Sequence, residues 1–259
     1  MERHEFTHDN IRFSYLDSGN DAPVLIAMHA HWMEGSTFVP LAEALAPDWR
    51  VIAPDQRGHG YSGHASSYTR DDYIGDLESL FELLALDSAV LLGNSLGGVN
   101  AFQFAARHPD KVRGMIIEEI GAVVTTVDLN FMNSWTGTFP TREALAERVG
   151  SRFAPYLSDS FRETPQGWKL AFEPTEIIES QKNLMRAYWD DWIASSCPAL
   201  VLRGRDSRVT TAEVAQEMAS RRPNTQVLTL PGGHILHRDS FSAFLTAVKL
   251  FLQSLPRAC

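Results

Sequence analysis

Residues 89–98 read AVLLGNSLGG, and this stretch decides the fold of the chain. Four apolar residues lead into Gly93 and Ser95, and Gly97 follows, which matches the pattern G-x-S-x-G. The apolar run predicts a buried strand, and the small-residue segment 96–107 predicts a helix. A serine in the sharp turn between a strand and a helix needs very small residues two positions before and after it. The context therefore predicts that Ser95 is an exposed nucleophile.

Outside this turn, short apolar runs alternate with amphipathic segments. Such alternation is typical of an α/β fold, a mostly parallel sheet flanked by helices. Strand-like runs lie at 11–17, 24–28, 51–53, 89–92, 112–117, 198–203 and 226–230. Apolar residues at helical spacing or small-residue runs mark helices at 70–86, 96–107 and 241–253.

The pattern changes between residues 122 and 196. This segment has no strand-like run and is rich in Trp, Phe and Glu, with helical patterns around 141–156 and 174–193. We therefore interpret residues 1–121 and 197–259 as one α/β core. Residues 122–196 are then a helical lid inserted over the carboxyl edge of the sheet. Such lids exclude water and shape an apolar pocket, which favours a small hydrophobic substrate.

Composition excludes several classes of function. The chain has 259 residues, of which 44% are hydrophobic, and a formal net charge of -9. No Lys/Arg cluster stands out, so we expect no nucleic-acid partner. The first ten residues lack the apolar core of a signal peptide, and the apolar runs are far shorter than the ~20 residues of a membrane span. We therefore expect a cytoplasmic protein without a membrane partner.

The residues that usually bind metals or form cross-links are sparse. The two cysteines, Cys197 and Cys259, do not indicate a disulfide framework. No His/Cys/Asp cluster has metal-ligand spacing, and no Gly-rich phosphate-binding pattern is present. We therefore expect neither a metal nor a cofactor.

Five motifs occur in the order found in the α/β-hydrolase fold family, which the chain resembles over nearly its whole length. They are MHAH at 28–31, DQRGHGYS at 55–62, the turn around Ser95, RGRD at 203–206 and GGH at 232–234. The resemblance implies a catalytic triad in the order serine, acid, histidine.

The base of this triad must be a histidine that takes the serine proton, because a serine hydroxyl is otherwise a weak nucleophile. His234 stands where the family has its base, in a loop after the last core strand. His237, three residues later, is the rival candidate.

An oxyanion hole completes such a site. One donor should be the backbone N–H of Leu96, directly after the nucleophile. By resemblance, His31 supplies the second N–H, although the usual His-Gly of the family is His29-Ala30 here. The side chains of His31 and Trp32 would then face the pocket. We expect substrate contacts from Trp32 and, at the start of the insertion, from Met132 and Trp135.

Two positions compete for the acid. Many relatives place it three residues after the glycine that ends the 198–203 strand, where this chain has Ser207, with Asp206 one residue early. Haloalkane dehalogenases, some esterases and zearalenone-type lactonases place it at the end of the preceding strand, where Glu119 falls. Adjacent glutamates that end a buried strand are costly to desolvate without partners. We expect Glu119 as the acid, with Asp206 as the alternative. Glu118 would point away into a salt bridge, and Ser207 would hydrogen-bond the glutamate or the histidine.

Three functions fit these residues. The first is a carboxylesterase or lactonase that cleaves a hydrophobic ester through an acyl-enzyme on Ser95. The second is hydrolysis of a carbon–carbon bond in a ring-cleavage product, by enzymes that share the Gly-Asn-Ser turn but have their acid at the position of Ser207. The third is a ligand receptor that kept the fold and, at most, a single slow turnover.

Overall fold

The computed structural model describes residues 1–256, and Cys259 therefore lies outside the described residues. The strands are β1 (Glu2–His8), β2 (Ile11–Asp17), β3 (Val24–Met28), β4 (Arg50–Asp55), β5 (Ala89–Asn94), β6 (Val112–Glu118), β7 (Phe161–Thr164), β8 (Gly167–Leu170), β9 (Ala199–Gly204) and β10 (Thr225–Leu230). Eight of them form one sheet in the order β1-β2-β4-β3-β5-β6-β9-β10. The β1–β2 and β2–β4 pairs are antiparallel, and the remaining pairs are parallel.

Helices cover both faces of this sheet. They are α1 (Val39–Leu45), α2 (Arg70–Leu83), α3 (Leu96–Arg107), α4 (Arg142–Val149), α5 (Ala154–Leu157), α6 (Pro174–Leu184), α7 (Trp189–Ile193), α8 (Ala212–Arg221), α9 (Leu236–Asp239) and α10 (Phe241–Ser254). Successive side chains of a strand point to opposite faces. Leu91 accordingly belongs to the apolar cluster that includes Phe102 of α3, whereas Leu92 belongs to the cluster on the other face that includes Phe244 of α10. The predicted α/β fold with a mostly parallel sheet is confirmed.

One strand of the large sheet, β1, was not predicted from the sequence. β1 pairs with β2 over its whole length, from Glu2 opposite Asp17 to His8 opposite Ile11. It is an edge strand with both faces partly exposed, and its side chains alternate only between exposed and half-buried. Charged residues are common on such edges, because they discourage pairing with other chains. Because this charged segment has no apolar face, its sequence lacks the alternating apolar pattern from which a strand is predicted.

The segment between β6 and β9 contains four short α-helices, two short 3₁₀-helices and one hairpin. The expectation that it has no strand is wrong, because β7 and β8 pair antiparallel, with Phe161 opposite Leu170. Each strand has only four residues, too few for a clear alternating pattern, and Gly167 takes a φ of +123° at the turn. The predicted helix at 141–156 is interrupted at Gly150, whose φ is +90°. That this insertion acts as a lid stays a prediction.

Among residues 1–256, no helix combines the length and the apolar character that a crossing of the bilayer requires.

Candidate active site

Ser95 lies in a strained turn between β5 and α3. Its φ and ψ are +51° and -111°, a conformation that non-glycine residues seldom adopt. The flanking glycines are required by close backbone contacts. A Cβ on Gly93 would lie 2.1 Å from the carbonyl oxygen of Gly97, and one on Gly97 would lie 2.3 Å from that of Met28. The turn is tied to the neighbouring strand by the Ser95 N–H, which donates to the Glu118 carbonyl at 2.9 Å.

His234 lies in the loop after β10 and contacts the carboxylate of Glu119. The distance between His234 Nδ1 and Glu119 Oε2 is 3.3 Å. The histidine side chain is one-third exposed, at 33%, whereas the glutamate side chain is completely buried, at 0%. A histidine that donates from Nδ1 to a buried carboxylate keeps Nε2 free to accept a proton.

The Glu119 carboxylate has further hydrogen-bond donors. The backbone N–H of Gly204, at the end of β9, donates to Oε1, and the hydroxyl of Ser207 donates to Oε2. Glu119 has a φ of +55°, and its own N–H donates to the Leu202 carbonyl at 2.9 Å. Buried carboxylates need such partners, because desolvation of an unpaired charge is very costly. These contacts fix the carboxylate beneath His234.

The alternative acid, Asp206, is placed elsewhere. Its side chain is exposed and makes no hydrogen bond or ion pair with the residues that the structure describes, while its N–H donates to the Gly232 carbonyl at 3.0 Å. One residue further along the chain, Ser207 points toward Glu119. The structure therefore brings Glu119, and not Asp206, to His234.

Glu118 and His237 form a second pair. His237 Nδ1 lies 2.9 Å from both carboxylate oxygens of Glu118, and the His237 N–H donates to Oε1 at 2.9 Å. On the far side of the ring, Nε2 shares a 2.8 Å hydrogen bond with the hydroxyl of Thr37. Both side chains of the pair are buried, with 1% and 0% exposed. His237, the rival base, thus has both ring nitrogens engaged away from Ser95.

Ser95 and His234 line the same cavity, which has a volume of about 650 Å³. In the described part of the chain, no hydrogen bond joins the Ser95 hydroxyl to the imidazole; such bonds often tighten only when substrate binds. His31 and Trp32 also line the cavity. Leu96 is the first residue of α3, so its N–H has no partner within the helix. That the N–H groups of Leu96 and His31 form an oxyanion hole stays a prediction.

The loop that contains His31 is held in place by its neighbours. His31 Nε2 shares a 2.8 Å hydrogen bond with Ser180 Oγ, whose oxygen lies 2.7 Å from the hydroxyl of Tyr73. Burial keeps the pKa of the His31 ring well below its ordinary value, so the ring is neutral. Trp32, with a φ of +72°, accepts a hydrogen bond at its carbonyl from Ser160 Oγ at 2.7 Å.

The structure corrects the expectation for Met132 and Trp135. Both are buried, at 0% and 3% exposed, in the apolar core of the insertion, and neither lines the cavity. Trp135 packs edge-on against Trp32, with ring centroids 5.9 Å apart. It therefore supports the cavity wall from behind. Phe131, next to Met132 in the chain, lines the cavity instead.

The DQRGHGYS motif is a structural turn. The Asp55 carboxylate accepts hydrogen bonds from the N–H groups of Gly35 at 2.8 Å and Tyr61 at 3.0 Å. Next to it, the Gln56 N–H donates to His29 Nε2 at 3.0 Å. Because Nε2 accepts this bond, the His29 ring is neutral and its proton is on Nδ1, which donates to the Ala30 carbonyl at 2.7 Å. This network fixes the loop that leads to His31.

Two cavity residues were missed by sequence reasoning. Arg152 and Arg208 line the cavity beside Ser95 and His234. In the sequence both stand in polar loop segments, where an arginine is unremarkable.

Comparisons with known proteins agree with this fold. A family model described as alpha/beta hydrolase fold matches residues 23–240. The chain is 26% identical over 246 residues to 2-(acetamidomethylene)succinate hydrolase of Mesorhizobium japonicum, covering 90% of this chain and 88% of that one. It is 26% identical over 262 residues to an sn-1-specific diacylglycerol lipase of Mus musculus, covering 93% and 85%.

A solved structure shows the same fold. The crystal structure of E-2-(acetamidomethylene)succinate hydrolase superimposes with a TM-score of 0.85 at 23% identity, covering 97% of this chain and 100% of the other. At this level of identity the likeness concerns the fold.

Proposed function

We propose that this chain, which belongs to the α/β-hydrolase fold family, is a serine hydrolase that cleaves an ester or lactone bond through an acyl-enzyme on Ser95. The observation that carries the proposal is the contact of His234 Nδ1 with the buried Glu119 carboxylate at 3.3 Å, in a loop that shares one cavity with Ser95. A nucleophile, a base and a group that orients the base are the parts that acyl transfer requires. The relatives named as a hydrolase and a lipase support the same chemistry.

In the first half of the reaction, Ser95 Oγ attacks the substrate carbonyl while His234 Nε2 takes the hydroxyl proton. The carbonyl oxygen gains a negative charge, which the N–H groups of Leu96 and His31 stabilise. When the tetrahedral intermediate collapses, the bond to the alcohol oxygen breaks and His234 returns the proton to that oxygen. The acyl group is then bound to Ser95 as an ester.

In the second half, His234 takes a proton from water, and the resulting hydroxide attacks the acyl carbonyl. Collapse releases the carboxylic acid and returns the proton to Ser95. Glu119 keeps the ring in the tautomer with the proton on Nδ1 and stabilises the charged imidazolium in both halves. For a lactone the same steps open the ring, and the alcohol and the acid stay on one product.

The test is steady-state hydrolysis of p-nitrophenyl esters from short to long acyl chains. We expect many turnovers per protein molecule, abolished by Ser95→Ala and retained by Ser242→Ala, which removes an exposed hydroxyl at the start of α10. The acyl length with the highest kcat/KM reports the size of the cavity.

Other outcomes decide between the alternatives. A single burst equal to the protein concentration would favour a receptor that retains slow chemistry. Absence of ester turnover, together with hydrolysis of a ring-cleavage diketone, would instead identify a carbon–carbon bond hydrolase.

A further inference from the structure

The charges in the wall of the cavity have the opposite sign to the protein as a whole. The chain has 32 acidic and 23 basic residues, yet the cavity is lined by Arg152 and Arg208 and by no Asp or Glu among residues 1–256. Glu119, which positions the proposed base, is completely buried and does not line this cavity. Both arginines are exposed to solvent as well as lining the cavity. Two positive charges along a cleft without a negative one create a positive potential, which attracts anions.

Neither guanidinium is neutralised by the described residues. Arg152 and Arg208 form no ion pair and donate no side-chain hydrogen bond within this part of the chain. Arg238, which donates to the carbonyl of the lining residue Tyr156, is by contrast paired with Asp159 at 3.2 Å. Arg152 instead lies over the ring of Phe153, with its Cζ 5.2 Å from the centroid. This contact holds the planar group against the aromatic wall and leaves its N–H donors available.

The two arginines come from different parts of the fold. Arg208 follows Ser207, whose hydroxyl donates to Glu119, so the backbone that carries Arg208 is fixed beside the catalytic acid. Arg152 lies between α4 and α5, in the insertion. An anion that reached both groups would contact the core and the insertion together.

We infer that the substrate carries a carboxylate, separate from the bond that is cleaved, and that Arg152 and Arg208 bind it. This inference rests on the proposed hydrolase function and names its substrate class. Arginine is suited to the role, because its parallel N–H groups match the two oxygens of a carboxylate. Apolar residues of the same wall, among them Val123, Val127 and Phe131, would pack on the body of the molecule. The substrate is thus an apolar ester or lactone with one anionic end, in place of the wholly hydrophobic molecule that the sequence suggested.

The test compares two esters that differ at one end. p-Nitrophenyl hexanoate ends in a methyl group, and the mono-p-nitrophenyl ester of adipic acid has a carboxylate at that place. For the unmodified protein we expect kcat/KM to be about tenfold or more higher for the adipate half-ester, because charge-assisted hydrogen bonds are the strong ones. Arg152→Gln and Arg208→Gln should each raise KM for the adipate ester about tenfold and should thereby lower the preference for the adipate ester over the hexanoate ester.

Arg148→Gln and Arg205→Gln are the matched controls. Each removes one positive charge from an exposed arginine outside the cavity wall, and Arg148 lies over Phe139 much as Arg152 lies over Phe153. These variants should keep the full preference for the adipate ester. An unmodified protein that does not prefer the anionic ester, or control variants that lose the preference equally, would overturn the inference.

A calorimetric titration with adipate separates failure of the anion site from failure of the proposed hydrolase function, because the binding of adipate needs no turnover. If neither ester is cleaved, the proposed function fails. Adipate binding that weakens about tenfold in Arg152→Gln or Arg208→Gln, and stays unchanged in Arg148→Gln, would still support the anion site. Absence of adipate binding to the unmodified protein would overturn it.

Discussion

Glu118 and Glu119 are adjacent in the chain, yet their buried carboxylates contact two different histidines of one short segment. Glu118 lies 2.9 Å from His237 Nδ1, and Glu119 lies 3.3 Å from His234 Nδ1. The positive φ of Glu119 turns the chain as β6 ends, so the two side chains leave in different directions. Two contacts three residues apart fix the segment that carries the proposed base.

The first prediction separates the two candidate acids. Glu119→Gln keeps the size of the side chain but removes the charge that stabilises the imidazolium and fixes its tautomer. We expect kcat for ester hydrolysis to fall about 10³-fold or more, with KM nearly unchanged. Asp206→Asn, at an exposed side chain, should stay within about twofold. The same two variants with their effects exchanged would assign the acid to Asp206.

The second prediction concerns the Glu118–His237 pair and the free energy of unfolding. His237→Ala leaves a completely buried carboxylate without its imidazole hydrogen-bond partner, and removing one partner of a buried hydrogen-bonded charge is strongly destabilising. We expect a loss of about 3 kcal/mol in urea unfolding. The control is His64→Ala, whose ring contacts Glu176 at 2.8 Å but is 49% exposed. That variant should lose less than about 1 kcal/mol, because exposed pairs contribute little. Equal losses of unfolding free energy in the two variants would show that the buried Glu118–His237 pair stabilises the protein no more than an exposed pair does.

The third prediction is a loss of stability in mild acid. Burial lowers the pKa of His29 to about 4 and that of His59 to about 3, from 6.5 for a free side chain. Both rings therefore stay neutral in the folded protein, while the unfolded chain takes up their protons below pH 6.5. The free energy of unfolding should fall as the pH decreases from 6.5 toward 4, by about 3 kcal/mol for each ring.

His59→Asn isolates one of these rings. The Nδ1–H of His59 donates to the Arg57 carbonyl at 2.8 Å, and the asparagine amide can replace this bond, while Nε2 has no partner among the described residues. The variant should show a shallower decrease of urea midpoint between pH 6.5 and 4. A decrease as steep as in the unmodified protein would contradict a neutral, buried His59.

Sequence predicted the fold well, because the central strands are apolar on both faces and the turn at Ser95 needs its glycines. It also placed Glu119 and His234 in positions that the structure brings together. The sequence was less informative about which side chains line the cavity, because that depends on how the insertion packs. Met132 and Trp135 are as apolar as true cavity residues, and only the packing of the insertion decides which apolar side chains face inward. Arg152 and Arg208, 56 positions apart in the sequence, share a wall only after the insertion has packed on the core.

The last prediction moves the acid to the other position used in this family. Ser207 Oγ contacts Glu119 Oε2, the same oxygen that faces His234, so a carboxylate at 207 would reach nearly the same place. Glu119→Ala should lower kcat about 10³-fold, and adding Ser207→Asp should recover at least about tenfold. Ser207→Asp alone places two carboxylates in contact within a buried site, and it should destabilise the protein instead of activating it. A folded double variant that is no faster than Glu119→Ala would show that the carboxylate at 207 does not reach the imidazole. In that case the backbone at the end of each strand determines which position can hold the acid.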